Sequence, residues 1–336
     1  MREIRVVHVL TRRAFAKQLG AIGAGAALGA GGTAGATAAF GDAFPFAGAP
    51  ADAAPHVNFP MAPRDRLAVA AWPFRAYIES PTNTDRDLTK PGMDLKDFGA
   101  YVVKTFNVRG IEPYNLHFSS TRREYLASFR NAVAKAGAHP VNIAVDQENS
   151  FYDADRATRE AAVEYAKQWV DIAMAIGSPS IRTNLAPAKN TPPNLENAVE
   201  SMKEVARYGA SKNVVIHMEN DNLVSEEAFF IVKVIEGVGN PYLHALPDFA
   251  NSMMSGDAEF AYRAITAMFE HAYGICHVKD GDFEQQGKDY PIDLAKTFGI
   301  LKSSRYRGYC SIEYSGGGDP HEPTKKLIAE SVRYLS

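Results

Sequence analysis

Four acidic or imidazole side chains stand near the ends of four successive apolar runs in the second half of the chain. They are Glu219 (in His217, Met218, Glu219, Asn220), Asp248 (in Leu246, Pro247, Asp248, Phe249), His277 (in Cys276, His277, Val278, Lys279) and Glu313 (in Ser311, Ile312, Glu313, Tyr314). If each run is a β-strand, side chains alternate between faces with a period of two. All four can then share one face while Met218, Cys276 and Ile312 take the other. Three carboxylates gathered without a cation would repel one another and lose their hydration, so the cluster wants a divalent metal ion. One imidazole with three oxygen donors suits Mn²⁺ first, and also Co²⁺, Mg²⁺ or Zn²⁺. Any one of these residues alone reads more simply as a helix cap or a solvated loop group. Their repetition on successive strands at matching depth is what argues for a site.

A cation bridging a carbonyl and its neighbouring hydroxyl stabilises the enediolate left when the α-proton departs, and a carboxylate is then a sufficient base. Epimerisation needs a second acid/base group on the opposite face, a role open to Glu219 and Glu313. β-Elimination shares the first step. Lys279 has the parity of His277 and could steady a developing oxyanion, or simply pair with a nearby acid. Glu112 ends another run and could hold a sugar hydroxyl, or form an ion pair with Arg182. Trp72 and Phe74 could supply an apolar wall for a sugar or merely close the top of the fold, and Asn184 and Asp146 end two further runs where substrate could touch. His217 and His244 lie one layer deeper, where a supporting hydrogen bond or core filling outranks ligation. Gly316, Gly317 and Gly318 read as a phosphate cradle or, more simply, as a lid. Cys276 and Cys310 face outward and read as small buried apolar residues.

These residues need a scaffold that delivers strand ends to one place. From Leu67 onward, short β-rich runs alternate with amphipathic stretches of helical length. The strands are expected over Leu67 to Phe74, Val108 to Tyr114, Pro140 to Asp146, Ser180 to Leu185, Val214 to Glu219, Leu243 to Asp248, Gly274 to Lys279 and Tyr309 to Tyr314. The helices are expected over Asp94 to Phe106, Thr121 to Ala136, Asp155 to Ile176, Leu195 to Ser211, Glu226 to Glu236, Asp257 to Tyr273, Asp293 to Leu301 and Thr324 to Leu335. Eight βα repeats of about 35 residues with nothing left over specify an α/β fold, the (β/α)8 TIM barrel, whose reactive groups belong at the C-terminal strand ends. An open doubly wound sheet would place a glycine-rich turn after its first strand. Trp72, Pro73, Phe74 and Arg75 stand there instead.

The spacing of Glu219, Asp248, His277 and Glu313, with the strings IHMEND, LPDFAN, CHVKD and IEYSG, resembles the xylose isomerase-like barrel superfamily of sugar isomerases and epimerases over about residues 65 to 335. The resemblance implies that Glu219, Asp248, His277 and Glu313 bind one divalent cation and that the two glutamates also act on the substrate. Epimerases of the group usually carry His three residues after the metal-binding Asp and Arg six residues after the metal His, both touching substrate. Here those positions are Asn251 and Phe283, which counts against ketohexose 3-epimerisation while leaving Asn251 an expected substrate contact. The string His277, Val278, Lys279, Asp280 looks closer to the dehydratase-like branch, where the Lys would aid a substrate oxygen.

Outside the barrel, Arg12 and Arg13 precede 24 uncharged residues, Gln18 to Gly41, of which 17 are Gly or Ala. This is too weakly apolar for a membrane span. It resembles a twin-arginine export signal, so residues 1–53 are expected to be a signal and linker and 54–336 the barrel. That makes the Tat translocase a partner during export, with cleavage after Ala38 or Ala53 and a periplasmic or extracellular destination; an uncleaved, loosely inserted anchor is the plainer alternative. Residues 1–53 hold five basic and three acidic groups, so the remainder carries 31 basic against 36 acidic, no footing for nucleic acid. Two cysteines make neither a disulfide framework nor a zinc cluster. The leading expectation is an exported, metal-dependent sugar, sugar-acid or cyclitol isomerase or epimerase acting on a small carbohydrate. The alternatives are a lyase of the inosose dehydratase or keto-glycoside type and a non-catalytic carbohydrate-binding barrel. Assembly into a homo-oligomer is left open.

Overall fold

A computed structural model describes residues 54–189, 191–283 and 289–336. The expected export signal lies outside the described residues. Eight short strands form the barrel: β1 (Leu67–Ala70), β2 (Gly110–Glu112), β3 (Ile143–Val145), β4 (Ser180–Thr183), β5 (Val215–Glu219), β6 (Leu243–Leu246), β7 (Ile275–Val278) and β8 (Tyr309–Ile312). They pair in parallel in two arcs, β7-β8-β1-β2 and β3-β4-β5-β6, with His139–Pro140 added beyond β2. Single bridges close the ring: Tyr114 to Ala144 between the arcs on one side, and Ala245 to Ala272 and Asp248 to His277 on the other.

The helices are α1 (Phe98–Phe106), α2 (Arg123–Lys135), α3 (Arg156–Ile176), α4 (Leu195–Lys212), α5 (Ala228–Val238), α6 (Ala258–Glu270), α7 (Leu294–Ser303) and α8 (His321–Leu335). Each shows the sheet an apolar stripe. In α3, Ala162, Val163, Ala166, Trp169, Val170, Ala173 and Ile176 are buried at helical spacing. Its start is fixed by Asp155, whose carboxylate accepts the N–H groups of Ala157 and Thr158, and its end by Gly177 in the left-handed region at φ 80°. The main core fills the space between barrel and helices, where Phe98, Phe129, Phe249 and Phe298 are almost wholly buried. None of the described helices is long and apolar enough to cross a membrane.

Several boundaries differ from expectation. β1 stops at Ala70 rather than Phe74 because Pro73 opens a 3-10 turn over Trp72–Tyr77. The run expected from Pro140 to Asp146 is split, with Val141 and Asn142 between its two pieces. The start of the helix expected from Asp94 is a 3-10 turn, Leu95–Asp97, and α8 begins at His321, before Pro323, since a proline is tolerated in a first helical turn. Two small strand pairs sit at the mouth, Ile78–Glu79 with Met93–Asp94 and Gly281–Phe283 with Asp289–Pro291.

At the other end a strap closes the floor. Phe59 meets Tyr273 and Tyr309 edge-on, with ring centroids 5.3 and 5.7 Å away. Val57 packs with Ala210, Val215 and Tyr242, and the Tyr273 hydroxyl donates to the carbonyl of Pro55 at 2.9 Å. Tyr309 and Val215 are the first residues of β8 and β5, so the strap lies opposite the strand ends that carry the reactive groups.

Candidate metal centre

The four ligand-type residues sit where strands stop. Glu219 closes β5, Asp248 follows β6 by two residues, His277 is next to last in β7, and Glu313 follows β8 directly. One ligand atom from each lies within 4.8 Å of all the others, and all four side chains are buried. His277 Nδ1 is 2.9 Å from Glu219 Oε1, 3.3 Å from Glu313 Oε2 and 3.8 Å from Asp248 Oδ2.

Local folding aims each group. Asp248 Oδ1 accepts the backbone N–H groups of Ala250 and Asn251, both at 2.8 Å, and its own N–H donates to Asn220 Oδ1 at 2.8 Å, which leaves Oδ2 turned inward. Arg182, fully buried on β4, places Nε 2.9 Å from Glu219 Oε2 and Nη1 2.5 Å from Asp146 Oδ1. Lys279 Nζ lies 3.0 Å from Asp248 Oδ2 and 3.2 Å from Glu313 Oε2, and donates to Asn251 Oδ1 at 2.8 Å. Asn251 donates in turn to Glu219 Oε1 at 3.3 Å.

The electrostatics match the crowding. Burial would raise the Glu219 carboxyl, but His277 and Arg182 hold it down at about 2. Burial lifts Asp248 to about 6 despite the attraction of Lys279. For His277, burial opposes the charged form, yet the carboxylates of Glu112, Glu313 and Glu219 raise its pKa well above the ordinary value. Lys279 is likewise raised by Asp248 and Glu313 against the effect of burial.

Two of the inward oxygens, Glu219 Oε2 and Asp248 Oδ2, are buried without a well-formed hydrogen bond, although a cation stands about 3 Å from each. Three carboxylates and an imidazole nitrogen gathered within 4.8 Å fit a divalent ion by donor type and number. The cluster can therefore hold a metal ion.

The remaining expected residues are placed as follows. Lys279 and Asn251 join the four at the centre. Glu112 does not face the mouth; its carboxylate lies beneath His277, 3.0 Å from Nε2 through both oxygens, and accepts from Asn142 at 2.8 Å and Ser311 at 2.6 Å. Both of its oxygens are taken by these donors rather than offered to a sugar, and Arg182 pairs elsewhere. Trp72 is half-buried with the Arg75 guanidinium 3.9 Å over its ring. Phe74 turns into the helix layer against Phe98, Tyr101, Phe106 and His321, away from any sugar wall. Asn184 exchanges hydrogen bonds with the Gln147 backbone, at 3.0 and 3.2 Å, clamping the loop after β3. Asp146 is engaged by Arg182 and the Tyr114 hydroxyl.

His217 accepts the Gly274 N–H at 3.2 Å, and His244 stacks on Tyr273 while contacting the Pro241 carbonyl. Neither reaches the cluster. Cys276 and Cys310 are buried free thiols in register on β7 and β8. In the glycine run, the Tyr314 hydroxyl donates to the Gly317 carbonyl at 3.2 Å. Sequence reasoning passed over Asn142, Ser311 and the Arg182–Glu219 pair. Ser311 was within reach of it, lying two residues before Glu313 on the same inward parity.

Comparison with known proteins agrees with this architecture. A family described as xylose isomerase-like TIM barrel matches residues 100–336. A D-allulose 3-epimerase from Methylomonas sp. superposes with a TM-score of 0.59 at 16% identity, covering 83% of this chain and 99% of that one. A xylose isomerase-like TIM barrel protein from Mycobacterium smegmatis, in complex with magnesium, gives 0.57 at 15% identity, covering 80% and 97%. A 3-keto-D-glucoside 4-epimerase from E. coli gives 0.57 at 13% identity, covering 79% and 98%. At these identities the likeness is one of fold. A search of curated proteins gives no match.

Proposed function

Because the chain belongs to the xylose isomerase-like TIM barrel family, we propose that it is a divalent-metal-dependent isomerase or epimerase that removes a proton beside the carbonyl of a sugar, sugar acid or cyclitol. The observation that carries this reading is the convergence of Glu219, Asp248, His277 and Glu313 within 4.8 Å at the C-terminal strand ends. These four would hold the ion, with Mn²⁺ the best match to the donor set. When bound, the ion supplies Lewis acidity toward a carbonyl oxygen. Glu219 and Glu313 come from β5 and from the end of β8, so the two carboxylates can work on opposite faces of a planar intermediate, one taking the proton and the other returning it. Lys279, fixed by Asn251, Asp248 and Glu313, offers a cation to the developing oxygen charge.

The same ammonium favours a second reading. A buried Lys beside Glu313 can hydrogen-bond a departing oxygen while the carboxyl that took the α-proton returns it there as water or alcohol leaves, which turns the shared first step into a β-elimination. That lyase chemistry fits Asn251 standing where epimerases of the group usually have His. Residues 1–53 we take as a twin-arginine signal that sends the protein to the periplasm or beyond.

The test is to incubate the Mn²⁺-loaded protein with keto sugars and inososes in deuterium oxide and follow proton exchange by NMR. Exchange without bond cleavage supports the epimerase, release of water or aglycone supports the lyase, and tight binding without exchange leaves a carbohydrate-binding barrel. Glu313→Gln should cut turnover at saturating Mn²⁺ by at least about 10²-fold, the scale of one acid/base group, with the fold kept and the Mn²⁺ affinity lowered because a ligand carboxylate is lost. Retained activity in that variant would remove Glu313 from the chemistry.

A further inference from the structure

We propose that Glu112 is a positioning residue for the metal centre: from beneath the cluster it fixes the tautomer and the ring orientation in which His277 presents Nδ1 to a divalent cation. This rests on the metal reading above. Three donors converge on the Glu112 carboxylate: His277 Nε2, 3.0 Å from both oxygens, Asn142 Nδ2 at 2.8 Å and Ser311 Oγ at 2.6 Å. A carboxylate accepts and does not donate, so the hydrogen between Glu112 and His277 belongs to Nε2. In a neutral imidazole the lone pair is then on Nδ1, the nitrogen that faces Glu219, Glu313 and Asp248.

The carboxylate is itself held. Asn142 accepts at Oδ1 from Ser180 Oγ, 2.7 Å away, so the chain of contacts runs Ser180, Asn142, Glu112, His277, Glu219 across the barrel interior. Every member is buried, and Glu112 is 1% exposed. A volume-filling residue at that depth would have no need of charge, and burying a carboxylate is costly unless it is fully hydrogen-bonded. A carboxylate behind a ligating imidazole raises its basicity and locks its orientation, and losing such a partner typically weakens metal binding about 10–100-fold.

Glu112→Gln keeps the shape but turns an N–H₂ toward one of the three donors. We expect its Mn²⁺ dissociation constant, measured by titration of the full chain, to rise by about 10–100-fold. The visible absorption bands of the Co²⁺-loaded variant should shift; the metal-free variant should melt below the unchanged protein, because a buried donor loses its acceptor, so affinities are compared at a temperature where both are folded. Ser311→Ala removes one support and should weaken Mn²⁺ binding by a smaller factor; it carries the test alone if Glu112→Gln does not fold. Mn²⁺ affinity and Co²⁺ bands unchanged in the folded variants would overturn the role. If the unchanged protein binds neither Mn²⁺ nor Co²⁺, the metal reading falls and takes this role with it, an outcome distinct from a defect confined to the variants.

Discussion

Asp94, which shares no partner with the metal cluster, shows how a single carboxylate couples this fold to pH. It accepts from Lys96 N and Lys96 Nζ, each at 3.0 Å, and from the Tyr125 hydroxyl at 2.7 Å. Burial would raise its pKa, but those donors outweigh burial and lower it below 3.8. A carboxyl with a depressed folded-state pKa stabilises the protein above its unfolded value and loses that contribution as pH falls through the folded one. Asp94→Asn should therefore melt below the unchanged protein at neutral pH, with the gap narrowing in acid below 3.8; a gap independent of pH would contradict the assignment. At this scale the sequence was legible where parity alone decides, as for Glu219, Asp248, His277 and Glu313. It failed at Glu112, expected to meet a sugar hydroxyl or Arg182, whose carboxylate instead meets His277, Asn142 and Ser311, partners brought together from three other strands or loops.

Elements were legible wherever a long period exists. The eight described helices stand within a few residues of where amphipathic spacing put them, and five of them start on a side-chain cap, at Asp155, Asn194, Glu227, Asp257 and Asp293. Gly177 tests this cleanly, because a Cβ added there would meet nothing within 4 Å while φ is 80°. Gly177→Ala should then cost only the left-handed backbone penalty, about 1–2 kcal/mol, visible as a lower melting temperature with Mn²⁺ affinity intact. A stability equal to that of the unchanged protein would mean the helix end relaxes. Strands were read too long at their C-terminal ends because Asp248 and Glu313 continue the apolar alternation after the regular strand has stopped. The mouth pairs Ile78–Glu79 with Met93–Asp94 and Gly281–Phe283 with Asp289–Pro291 escaped notice, since two or three residues are too few to display a period.

Across the whole molecule, a barrel separates what stabilises from what reacts, with the floor and the mouth at opposite ends of the strands. Phe59→Ala strips one partly buried ring from the floor and should cost about 2 kcal/mol, less than the 3–5 kcal/mol of a fully buried phenylalanine. Mn²⁺ affinity should not move, since the cluster shares no side chain with the strap; altered affinity would show the two ends to be coupled. The strap also gives the molecule a polarity. Pro55 is tied to Tyr273 at the floor, so the polypeptide enters the barrel on the side remote from the cluster. Protein coupled to a bead or electrode through floor residues would turn the C-terminal strand ends, and the cluster they carry, toward the bulk solution.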